Sequence, residues 1–80
     1  MPTVLRIKGY RFFFFAADRF EPPHIHVAKD DRAAKFWLEP VRQAYNEGFR
    51  PHELNEIRRI IDEHLDQLSD VWYAYFSKYM

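Results

Sequence analysis

The sequence predicts an α+β domain, a small antiparallel sheet of four to five strands covered on one face by a C-terminal helical pair. Three observations predict it. Residues 1–45 read mainly as short β-branched, aromatic or alternating runs broken by turn residues. From Pro51 onward, through residues 51–79, the apolar spacing changes to that of a helix. Eighty residues leave room for one domain, 1–80, with no linker and no internal repeat.

So short a chain buries a modest core. Large rings offset the small residue count, since aromatics are 19% of the residues. No cysteine is present, which excludes a disulfide framework, a thiolate metal site and a cysteine nucleophile. Twelve basic side chains balance twelve acidic ones. That balance argues against coating nucleic acid by bulk charge, though not against a local basic strip.

Thr3 to Ile7 and Tyr10 to Phe15 read as a β-hairpin, with Gly9 supplying the turn. Four successive phenylalanines cannot share one side of a strand. The second run is therefore either covered on both faces or leaves an apolar patch open to a partner. Asp18 to Pro23 reads as a loop closed by two prolines, which stiffen entry to the next strand or simply begin an edge strand.

Lys29-Asp30-Asp31-Arg32 carries the following turn. After Leu38, Pro40 interrupts pairing. Val41 to Tyr45 reads as a further strand, with Val41, Gln43 and Tyr45 on one face, or alternatively as helix; Asn46-Glu47-Gly48 ends it. Pro51 suits a first helical position. Arg50 stands where a side-chain cap is expected, and Glu53 lies near the positive end of the dipole.

Leu54, Ile57, Ile61, Leu65, Leu68, Trp72, Tyr75 and Tyr79 form one apolar stripe. An unbroken helix over His52 to Lys78 would be about 40 Å long at ~1.5 Å per residue. A globule of this size has a radius of gyration of roughly 12 Å. The expectation is a break near His64 to Gln67 with Asp66 capping the second half; the alternative is a protruding helix that makes a homodimer. Trp72, Tyr73, Tyr75, Phe76 and Tyr79 then pack on the sheet, or, if exposed, offer a stacking platform.

The chemically able groups concentrate on the strand pair 24–38. Alternation sends Ile25 and Val27 one way and His24 and His26 the other. Ala34, Phe36 and Leu38 form the apolar set of the next strand, leaving Lys35 and Trp37 on the histidine face. Both imidazoles are expected to project outward. They titrate near neutral pH, so His24 and His26 are the candidate catalytic acid and base. Arg6, Arg32, Lys35 and Trp37 are candidate phosphate or base contacts. A metal would need a third ligand from Glu21, Asp30, His52 or His64 folding against this face. His-x-His alone is a weak metal signal, and no metal or other cofactor is assigned. Glycine-rich phosphate loops, a serine elbow and zinc-finger spacing are absent.

The N-terminus lacks a signal-peptide pattern, and Phe12 to Ala17 is far short of the ~20 residues that cross a bilayer. The chain reads as cytoplasmic, with no membrane partner.

Met1 to Ile7, Gly9 to Phe14, Glu21 to Val27, Ala34 to Val41 and Asn46 to Phe49 together resemble the bacterial domain-of-unknown-function family 4160. Its members are short single-domain proteins with a P-P-H-x-H-V strand, and the likeness covers nearly the whole chain. Arg50 departs from the Ser or Thr expected before Pro51, which bears only on the helix cap. The resemblance implies a small protein encoded by a neighbouring gene as partner, in a toxin–antitoxin-like two-gene module. It transfers no catalytic residue.

Two functions follow as expectations. One is a binding component that contacts the small partner, and with it RNA or operator DNA. The other is a metal-independent ribonuclease toxin using His24 and His26.

Overall fold

A computed structural model of the chain describes residues 3–77. The order is β1 (Thr3–Ile7), β2 (Tyr10–Phe13), a 3-10 helix (Ala16–Phe20), β3 (His24–Lys29), β4 (Arg32–Leu38), β5 (Val41–Glu47), α1 (Pro51–Glu63) and α2 (Leu65–Phe76). All five strands pair antiparallel in chain order, so β1 and β5 are the edges. This is the α+β architecture the sequence predicts, and residues 41–47 are strand rather than helix.

Turn chemistry sets this meander. Lys8 and Gly9 both have positive φ, 53° and 83°, the two-residue turn whose twist matches paired strands. Asp30, at φ 55°, makes the equivalent corner between β3 and β4. A cis Glu39–Pro40 peptide lies between β4 and β5.

One face of the sheet carries Tyr10, Phe12, Ile25, Val27, Ala34, Phe36 and Leu38, all buried. Against it lie Ile57, Ile60 and Ile61 of α1 and Leu68, Trp72 and Phe76 of α2. Phe14 continues the apolar row beyond β2 and meets Trp72, Tyr75 and Phe76 edge-on or tilted, at centroid separations of 5.6, 5.2 and 5.2 Å. Polar contacts help fix α1 on the sheet. Tyr10 donates to Glu56 Oε1 at 2.9 Å, and burial beside that carboxylate pushes the Tyr10 hydroxyl up to about 12. Arg32 Nη1 donates to Glu53 Oε2 at 2.6 Å.

The helical stretch is interrupted at His64, whose φ of −115° is not helical. The break expected near 64–67 is therefore present, but Asp66 does not cap α2. It sits in the first turn, and His64 occupies the cap position without a side-chain bond. The His64 ring instead turns back, its Nδ1 hydrogen-bonding the Ile60 carbonyl at 2.9 Å. The interruption keeps the Cα radius of gyration at 11.9 Å. Within the aromatic end, Trp72 and Phe76 are buried, Tyr75 is half-buried and Tyr73 is exposed. Tyr79 lies outside the described residues. At α1, Arg50 offers no side-chain cap, as expected, and Glu53 reaches back to accept the Arg50 amide at 2.9 Å.

Beyond the Asp66 cap, further expectations need correction. The segment read as an Asp18 to Pro23 loop opens inside the 3-10 helix, which begins at Ala16. In β5, Tyr45 pairs with Lys35 while Gln43 pairs with Phe36, leaving Ala44 as an extra bulged residue. Tyr45 therefore sits on the histidine face and not with Gln43. Another concerns the histidines themselves.

Candidate functional site

The predicted face exists. His24 pairs with Trp37 and His26 with Lys35, opposite the buried Ile25 and Val27. Its exposure, however, is not as expected. His24 is 0% accessible and the His26 side chain 12%. The cause is the 3-10 helix, which folds back across this end of the sheet and lays Asp18 over both rings.

Local geometry makes Asp18 suited to that place. The Asp18 amide donates to the Phe15 carbonyl at 3.0 Å, and Asp18 Oδ2 accepts the Phe15 amide at 2.7 Å, closing a small ring that aims the carboxylate inward. Oδ2 then lies 3.1 Å from His26 Nε2 and 3.2 Å from His24 Nε2. Aromatic rings seal the rest. Phe13 stacks on His26 at 5.5 Å, Phe15 meets it at 4.9 Å, Trp37 stands edge-on to His24 at 5.6 Å, and Trp72 reaches round the sheet end to within 5.0 Å of His24. The two imidazoles are themselves perpendicular at 5.0 Å.

Hydrogen bonding settles which His24 nitrogen faces the carboxylate with what. Nδ1 lies 2.9 Å from the Pro22 carbonyl, an acceptor only, so Nδ1 carries the proton. Nε2 makes no hydrogen bond, although Asp18 is at ion-pair distance. Burial holds the His26 ring below the ordinary imidazole range, against the opposing pull of Asp18.

The other candidate residues divide. Lys35 borders the cluster; its ammonium lies over the Trp37 ring at 4.5 Å and pairs with Glu21, whose carboxyl that bond holds below the usual range. Arg6 is exposed on edge strand β1, opposite Arg11. Arg32 does not join the histidines. It faces the helices, bound to Glu53 and to Asp30 at 3.1 Å, because its strand position shares parity with Ala34 and Phe36. Of the third ligands considered, Glu21 is committed to Lys35, Asp30 to Arg32, and His64 to its own helix. Asp18 takes the place none of them fills. Its only sequence signal is a carboxylate six residues before His24, and nothing in that spacing says the intervening chain folds back.

Beside the cluster, a groove of about 350 Å³ separates the 3-10 helix from α2. Arg19, Phe20 and Pro23 line one wall, Trp72, Tyr73 and Phe76 the other. Phe20 is 79% exposed, the most exposed large hydrophobic side chain among the described residues. No described helix is long and apolar enough to cross a membrane.

Fold and site define a five-stranded meander closed by a broken helix, with a carboxylate folded onto a His-x-His strand. Residues 9–73 match the family model described as a domain of unknown function (DUF4160), and the chain belongs to that family. Neither the curated proteins nor the solved structures give a match.

Proposed function

We propose that this protein is the binding component of a two-gene, toxin–antitoxin-like module, docking a small partner protein at the groove between its 3-10 helix and α2. The observation that carries this reading is Phe20, which stands 79% exposed at the mouth of an apolar groove and contributes nothing to its own core. An aromatic anchor beside a pocket, rimmed by the charges of Arg19 and Glu21, has the composition of an interface centre. The ribonuclease reading draws less support, because acid–base catalysis on RNA needs both rings within reach of substrate and His24 is enclosed.

Titration calorimetry of the full chain with the neighbour-encoded small protein tests the reading. Phe20→Ser is expected to weaken the complex by roughly thirtyfold or more, the loss of a hot-spot side chain. His26→Asn is expected to leave it nearly unchanged. No complex with the wild type, or equal affinity for Phe20→Ser, overturns it.

A further inference from the structure

We propose that Asp18, His24 and His26 form a binding site for a borderline divalent transition-metal cation of the zinc type, independent of any partner. Their ligand atoms all lie within 4.8 Å of one another. Around one such ion at bond lengths of ~2.0–2.1 Å, tetrahedral ligand atoms stand roughly 3.3 Å apart. The two carboxylate-to-imidazole separations, 3.1 and 3.2 Å, are close to that edge length. Two imidazole nitrogens with one carboxylate oxygen suit zinc and its neighbours, not the all-oxygen preference of magnesium or calcium.

A second, independent observation points the same way. His24 Nε2 is fully buried, aimed into the cluster and without a hydrogen bond. With the Nδ1 proton committed to the Pro22 carbonyl, Nε2 is the ring atom left to take up a cation, and it faces Asp18 Oδ2 at 3.2 Å. A buried carboxylate oxygen and an imidazole nitrogen this close call for a positive charge between them, a proton or a metal ion. An Nδ1–H held by a backbone carbonyl while Nε2 faces the ion is how metal-binding histidines are commonly oriented. The Phe15 amide plays the corresponding part for the carboxylate, at 2.7 Å.

Binding at Nε2 requires the proton of the neutral His26 ring to move to Nδ1, by exchange through solvent, and leaves Asp18 as the anionic ligand. The enclosure by Phe13, Phe15, Trp37 and Trp72 makes this a fastening site, which pins the 3-10 helix to β3, rather than an open catalytic one. A single coordination position remains for water.

The test is titration of the chelator-stripped full chain with Zn2+ alone, by competition against a chromophoric chelator, with thermal unfolding followed in parallel. One equivalent is expected to bind and to raise the unfolding temperature. Asp18→Asn and His26→Gln are each expected to weaken binding by about a hundredfold or more, while His52→Gln and His64→Gln leave it intact. Should Asp18→Asn fail to fold, the Co2+ spectrum of the wild type decides: intense visible bands of four-coordinate cobalt support the site, and a spectrum of hydrated cobalt contradicts it. Absence of saturable binding, or binding lost only in His52→Gln or His64→Gln, overturns the proposal.

Discussion

Asp18 and His26, eight residues apart in sequence, meet at 3.1 Å through Oδ2 and Nε2. That contact ties the 3-10 helix to the sheet, and the same oxygen serves the Phe15 amide and faces His24. Asp18→Ala strips all three at once and leaves a partly buried donor without an acceptor. The expected loss is about 1–3 kcal/mol, read from urea unfolding. An unchanged midpoint contradicts the role given to Asp18.

Acid should unfasten α1. The Arg50 amide, then the Arg32 guanidinium, hold the Glu53 carboxyl below the ordinary range against the opposing effect of burial. A carboxyl lowered by folding adds stability above its unfolded pKa of ~4.3, and that stability disappears as pH falls through the lower folded value. Glu56, bonded to Tyr10, shifts in the same direction. Urea midpoints measured from neutral into acid pH are expected to fall less steeply for Glu53→Gln than for the wild type. Parallel profiles contradict the assignment.

Gly48 occupies φ +96°, and a Cβ built there stands 2.9 Å from Arg32 Cγ. Gly48→Ala therefore strains the backbone and pushes aside the side chain that holds Glu53. We expect a loss of about 1–3 kcal/mol, measured as a drop in unfolding midpoint. Lys8→Gly, at φ 53°, is the contrasting control: it relieves a left-handed non-glycine residue while removing an exposed ion pair to Glu56, and is expected to be close to neutral.

How much of this was legible in the residues follows from the range of the forces involved. Ile25 and Val27 against His24 and His26 was readable because strand parity is local, and Lys8-Gly9 and Pro51 announced a turn and a helix start for equally local reasons. The stripe from Leu54 to Trp72 with the size of the globule demanded a break, and His64 supplies it. Parity misplaced one residue, because the Ala44 bulge turned Tyr45 to the other face. Arg32 is different: its parity with Ala34 and Phe36 already puts it on the helix side, away from the histidines it was expected to assist. Enclosure of His24 was beyond reach, because it depends on a 3-10 helix closing over the sheet and on Trp72, 48 positions away in sequence, reaching round its end.

The most direct test of the central claim is a long-range proton–nitrogen spectrum of the four histidine rings, recorded before and after one equivalent of Zn2+. The account predicts that the Nε2 resonances of His24 and His26 move, that His24 keeps its proton on Nδ1, and that His52 and His64 stay put. Shifts confined to His52 or His64, no shift at all, or a proton on His24 Nε2 in the zinc form would contradict it.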